Sequence, residues 1–189
     1  MEQNETISKA FNNGARINNN IVKLGGLESL NNIIKYIEYV LLIGNGTSYN
    51  AGLIGEYYMN SKFSFVKTID ACEFDESCIP NIFNKAKILA IFLSQSGETM
   101  DVYNCLNIRK KAGCITMGII NKEDSLIARE VMCGVYLNCG SEISVASTKS
   151  FTSMLVVLSL VEMWFSQIDI NKYNYLNENR LNNLRLLPN

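Results

Sequence analysis

The sequence predicts an α/β fold in three layers: a five-stranded parallel sheet with helices on both faces. Three observations carry this. Short apolar runs alternate with helix-compatible segments through the middle of the chain. The runs are apolar throughout rather than at every second residue, as strands covered on both faces are. Three of the junctions leading into helices are rich in glycine and hydroxyl residues.

The elements follow in order. "YVLLIG" (Tyr39 to Gly44) is a short apolar run ending in glycine and reads as the first buried strand. "SYNAGLIGEYYMNS" suits a helix, and "FSFVKTI" (Phe63 to Ile69) a second strand. "ILAIFLS" (Ile88 to Ser94) is the third strand. In "TMDVYNCLNIRKKAG" Val102 and Leu106 mark helical turns, and Gly113 suits the end of that helix. "CITMGII" (Cys114 to Ile120) and "GVYLN" (Gly134 to Asn138) complete the five strands, and an apolar helix from about Lys149 to Phe165 packs on the sheet. Thr6 to Asn20, Leu27 to Ile37 and the tail from Tyr173 to Leu187 look helical. The expected organisation is a helical lead-in (1–38), a central domain (39–168) and a helical connector (169–189).

Composition narrows the function. With 48% apolar and 19% charged residues over 189 positions, the chain is long enough for one well-buried domain. The net charge is −1, and the only basic run is Arg109-Lys110-Lys111, at a helix end where cations suit the dipole. Nucleic acid is therefore not an expected partner. Six cysteines show no CxxC pair and there is no histidine, so neither a zinc site nor a disulfide framework is expected; the cysteines read as buried small hydrophobes in a reducing compartment. "MEQNETISKAFNN" has no apolar core of a signal peptide. "FTSMLVVLSLVEMWF" is shorter than the roughly 20 apolar residues of a membrane span and carries Glu162, so it reads as a core helix. A cytoplasmic protein with no membrane partner is expected.

In an open parallel sheet, ligands bind beyond the carboxyl ends of the strands. Gly44-Asn45-Gly46-Thr47-Ser48, Ser94 to Thr99 and Val145-Ala146-Ser147-Thr148-Lys149 all fall there, and together they would form one pocket. Helix amino termini offer amides and partial positive charge, hydroxyls add donors, and glycine admits close backbone approach. Ser94 to Thr99 is thus a candidate phosphate cradle, without the lysine of a nucleotide-binding P-loop. The same residues also read as ordinary helix caps, with Glu98 and Asp101 as first-turn carboxylates. No histidine is available for a serine nucleophile. Lys149 opens a helix, an unusual place for a cation, drawn there by a ligand's charge or by a carboxylate such as Glu142.

"NGTSYNAG", "LSQSGETMD" and "SEISVASTKSFTS", in this order and spacing, closely resemble the sugar-isomerase (SIS) domain found in glutamine–fructose-6-phosphate aminotransferases. Further similarity lies in "IVKLGGLESL", "IINKEDSLIARE" and "NNLRLLP", so nearly the whole chain is covered. The resemblance implies a flavodoxin-like SIS fold, a role in amino-sugar metabolism and no cofactor. It implies that Ser94, Gln95, Ser96 and Thr99 bind a sugar phosphate. Thr47 and Ser48 would contact the ligand from the first turn, and Val145 and Ser147 would line the sugar from the third. Gly46, Gly97 and Lys149 are possible further contacts. Asn45 replaces the family's cysteine, and Ser144 and Ser150 replace its glycine and alanine around the third motif.

The family enzyme also has an amino-terminal glutaminase and a second SIS half. Its glutamate base, ring-opening histidine and Schiff-base lysine belong to that second half or its tail. The resemblance therefore implies one half of a fructose-6-phosphate to glucosamine-6-phosphate isomerase. That half would bind fructose 6-phosphate or glucosamine 6-phosphate and supply no catalytic residue. Its expected partner is a second SIS half or a second copy of itself. The alternative is a non-catalytic module that senses a hexosamine phosphate.

Overall fold

The computed structural model describes residues 2–75, 77, 84–143, 147–168 and 175–187, the side chains of 175–178 excepted. Five parallel strands form the main sheet: β3 (Tyr39–Gly44), β4 (Phe65–Asp70), β5 (Ile88–Ser94), β6 (Ile115–Ile120) and β7 (Cys133–Tyr136), in the order β4-β3-β5-β6-β7. After β3 the chain adds β4 on one side and then crosses back to place β5 on the other. The strand order thus reverses between β3 and β5, which opens a crevice above their carboxyl ends.

Alternate residues of each strand feed two separate cores, which is what makes the fold three-layered. Val40, Leu42, Leu89, Ile91 and Leu93 pack under α1 (Gln3–Ala10), α2 (Thr47–Met59) and α5 (Lys149–Ile168). Leu41, Ile43, Ile88, Ala90 and Phe92 face α3 (Met100–Lys111) and α4 (Leu126–Glu130). Apart from the small Ala90, each of these side chains contributes about 1.5–3 kcal/mol by leaving water. Helix α5 is apolar and long enough to cross a bilayer, yet 72% of its most apolar window is buried in the protein, as a core helix requires. Its one carboxylate, Glu162, is fully buried and paired with Lys62 at 3.1 Å and with Arg180 of α6 (Tyr175–Leu186) at 2.9 Å.

The first segment departs from the sequence expectation. Instead of one helix over Thr6 to Asn20, α1 stops at Ala10, and a small antiparallel hairpin of β1 (Ile17–Asn18) and β2 (Ile21–Val22) follows. Asn12, Asn13, Asn19 and Asn20 all adopt left-handed backbone conformations, φ 47–61°. Asparagine tolerates that region because its short amide can bond locally, and each such residue interrupts a right-handed helix. The stretch from Leu27 to Ile37 forms two short 3₁₀ turns, Gly25–Leu30 and Ile34–Tyr36, rather than a continuous helix. The first lies against the edge strand β7, where an added Cβ on Gly26 would sit 2.0 Å from the Gly134 carbonyl oxygen. It covers an edge that would otherwise be open to pairing.

Candidate functional site

The turn Ser94 to Thr99 sits on the crevice between β3 and β5. Ser94 is buried, and its Oγ accepts the Gly97 amide at 2.9 Å. The Ser96 Oγ accepts the Glu98 amide at 3.1 Å. Both hydroxyls lie 3.5 Å from the Thr99 Oγ1, so the three converge. Thr99 occupies the N-cap of α3 without a side-chain hydrogen bond to the helix. The local bonds of Ser94 and Ser96 shape the turn, and the Thr99 side chain does not cap α3.

Gly97 makes the turn possible. Its φ is +66°, and an added Cβ would fall 1.9 Å from the Ser125 Oγ. The neighbouring connection clamps the turn: the Gly97 carbonyl accepts the Ile127 amide at 2.9 Å, and the Ser94 and Gln95 carbonyls accept Asn121 and Lys122 at 3.3 Å each. Glu98 points away from the crevice, its Oε1 accepting the Leu126 amide at 3.1 Å. It is a strut between the turn and α4.

The first turn enters α2 through Gly46, whose φ of +57° and ψ of −124° belong to glycine. Thr47 and the buried Ser48 begin the helix on the β3 side of the crevice. Asn45, the residue that departs from the family motif, donates to the Cys72 Sγ at 3.1 Å. The Cys72 thiol donates in turn to the Asp101 Oδ2 in α3 at 3.4 Å, and chiefly that bond pushes the thiol pKa up. This corrects the reading of the cysteines as uniformly buried: Cys105, Cys114, Cys133 and Cys139 are, but Cys72 is exposed at the rim. Cys78 lies outside the described residues.

At the third junction Val145 lies outside the described residues, and Ser147 is half-buried just before α5. At α5 the helix terminus is already occupied by the molecule's own anion. The Glu142 Oε1 accepts the amides of Thr148 (2.6 Å) and Lys149 (2.8 Å) and the Thr148 hydroxyl (2.9 Å). Its Oε2 accepts the Ser150 hydroxyl at 2.5 Å. These bonds outweigh desolvation, which acts the other way, and hold the carboxyl pKa down at about 2. Lys149 contributes its backbone amide to that cap, but its ammonium pairs with Glu2 at 2.7 Å. The carboxylate that draws Lys149 to its position is therefore Glu2, not Glu142.

A cleft of about 620 Å³ opens over the ends of β5, β6 and β7, lined by Gln95, Asn121, Lys122, Asn138 and Glu142 among others. Asn121, which belongs to none of the three turns, lines this cleft. Its amide donates to the Gly140 carbonyl at 2.8 Å and its Oδ1 accepts the Cys139 amide at 3.0 Å, joining the end of β6 to the loop after β7. The signal available was a polar residue directly after an apolar strand. A second cavity, of about 380 Å³ between Ile37, Phe63 and Phe165, lies at the opposite end of the sheet from all three turns.

Comparison with known proteins fits this geometry. The SIS domain family matches residues 34–162. The chain is 35% identical over 167 residues to the glutamine–fructose-6-phosphate aminotransferase (isomerizing) of Chlorobaculum tepidum, spanning 88% of this chain and 27% of that protein. It is 34% identical over 188 residues to a mouse enzyme of the same name, spanning 99% of this chain and 27% of the other. Among solved structures, the C-terminal domain of glucosamine-fructose-6-phosphate aminotransferase from Francisella tularensis superposes with a TM-score of 0.84 at 26% identity, over 97% of this chain and 51% of that one. The chain thus spans about a quarter of the length of these curated relatives. It belongs to the SIS domain family and is homologous to the isomerase domain of glutamine–fructose-6-phosphate aminotransferase.

Proposed function

We propose that this chain binds the phosphosugar in one half of a fructose-6-phosphate to glucosamine-6-phosphate isomerase, and that a second half completes the active site. The observation that carries this reading is the Ser94–Thr99 turn: three converging hydroxyls at the uncapped start of α3, inside a matched SIS domain. Ser94, Ser96 and Thr99 hold the phosphate, with Gln95 beside them. Thr47 and Ser48 approach from α2, and Val145 and Ser147 line the sugar. The named activity of the relatives and the half-length match to the Francisella domain support a second SIS half, or a second copy of this chain, as partner. The free cysteines suit a cytosolic place of work.

A non-catalytic sensor of a hexosamine phosphate is the second reading, and one observation favours it. The chain has no histidine, and the glutamates within or just before the turns, Glu98 and Glu142, are both committed to backbone amides. Neither is placed as a general base, which must reach the proton it abstracts.

Titration calorimetry with fructose 6-phosphate and glucosamine 6-phosphate tests the binding. The isolated chain is expected to bind at least one of them and to show no isomerase turnover. Thr99→Ala is expected to weaken binding by about tenfold or more, the worth of one hydrogen bond to a charged group. No heat with either sugar would sink the ligand assignment, and turnover by the chain alone would sink the need for a partner.

A further inference from the structure

We infer that the three site serines face the ligand with opposite hydrogen-bond polarity: Ser94 and Ser96 as donors, Ser147 as an acceptor. That these serines meet a phosphosugar rests on the reading under Proposed function; their polarity comes from a chain of hydroxyls that ends in a carboxylate.

An ionised carboxylate only accepts hydrogen bonds, and a serine hydroxyl carries a single proton. The Glu142 carboxyl is ionised at neutral pH, its pKa held at about 2 by the donors around it. The Ser150 hydroxyl, wholly buried and 2.5 Å from the Glu142 Oε2, must therefore give its proton to that oxygen. In its 2.9 Å contact with Ser147, Ser150 has no proton left and accepts. Ser147 is then the donor, its proton turned inward, and only lone pairs remain for the crevice. A group meeting Ser147 must bring its own proton, as a sugar hydroxyl does; an ether oxygen or a fluorine cannot.

Ser94 and Ser96 are the reverse. Each already accepts a backbone amide, Gly97 at 2.9 Å and Glu98 at 3.1 Å, and its contact with the Thr99 Oγ1, at 3.5 Å, is too long to hold its proton against a closer outside acceptor. Phosphate oxygens are such acceptors. A phosphosugar is polarised in the same sense, with acceptors at the phosphate and donors along the carbon chain, so the site fixes its direction. Glu142 and Ser150 act as positioning residues through Ser147. Ser150 stands where the SIS motif carries alanine, so this proton relay belongs to this sequence.

Neutron diffraction from deuterium-exchanged crystals of the full chain reads the relay directly. The expected map has the Ser147 deuteron directed at the Ser150 Oγ and the Ser150 deuteron at Glu142. A Ser147 deuteron directed into the crevice overturns the inference, whatever the ligand. Calorimetry then separates this from the ligand assignment. Ser150→Ala frees the Ser147 proton and is expected to weaken fructose 6-phosphate by about three- to tenfold while leaving inorganic phosphate unchanged. Equal weakening of both, or of neither, overturns the acceptor role. If wild type binds no phosphosugar while both deuterons lie inward, the polarity stands and the ligand assignment falls.

Discussion

The turn at Ser94–Thr99 and the loop before α5 contain the same ingredients: hydroxyls, a helix amino terminus and a glutamate close by. They use the glutamate in opposite ways. Glu142 folds back onto α5 and takes the place an outside anion would occupy, receiving two amides and a hydroxyl on one oxygen alone. Glu98 reaches away from α3 to the Leu126 amide, and α3 keeps no side-chain cap. The α5 junction is thus capped by its neighbouring glutamate and the α3 junction is not, although both would pass as phosphate cradles by composition. What decides is not the presence of donors but whether the chain's own carboxylate has already claimed them.

The comparison breaks most severely at Gly97. Alanine there would meet Ser125 and would have to hold φ near +66°. A loss of about 2–5 kcal/mol is expected from the left-handed conformation and the overpacking together, read as a fall in Tm on the order of 10 °C. Adding Ser125→Gly removes the clash but not the backbone strain, so the double variant should recover only part of the loss. Full recovery would show that the conformation itself costs nothing. Gly97→Ala with an unchanged Tm would mean that the turn is not clamped as described.

The central α/β pattern was legible because each strand is continuously apolar and each polar junction immediately follows one. All five strands and the helices α2, α3 and α5 fall within a few residues of their expected positions. The first segment was not, since a run of asparagines scores as acceptable helix until four of them turn left-handed. In the site, the motif residues could be read one by one. The division of labour between the glutamates could not. Glu142 finds its partners six to eight positions along, around a bend, and Glu98 finds its partner 28 positions away. Lys149 shows the same limit of local reading, its ammonium pairing with Glu2 at the other end of the sequence.

Acid removes the stability that the capped α5 junction contributes. The Glu142 pKa is lowered from 4.5 to about 2 in the folded protein, so its contribution to stability is fully present above pH 4.5. That contribution is lost as the pH falls through 4.5 toward 2, because only the unfolded chain gains the proton there. The group is partly solvated, so the loss is about 1 kcal/mol, the usual worth of a helix cap. Glu142→Gln should show a shallower decline of Tm than wild type between pH 4.5 and 2, and the two curves should converge at the acid end. Parallel curves would mean that the carboxylate does not cap α5 in solution.

The most local effect is expected at Glu98. Alanine removes one acceptor from the Leu126 amide, but the adjacent bond from Ile127 to the Gly97 carbonyl remains and keeps α4 seated. The loss should be about 0.5–1.5 kcal/mol and confined to this corner, visible as faster hydrogen exchange at Leu126 without a comparable change across β5. Glu98→Gln retains a carbonyl oxygen for the same amide and should restore most of the protection. If Gln fails where Glu succeeds, negative charge at the start of α4 matters more than the bond itself. The contrast with Glu142 would then narrow, since both glutamates would be serving helix dipoles and would differ only in which helix each one chose.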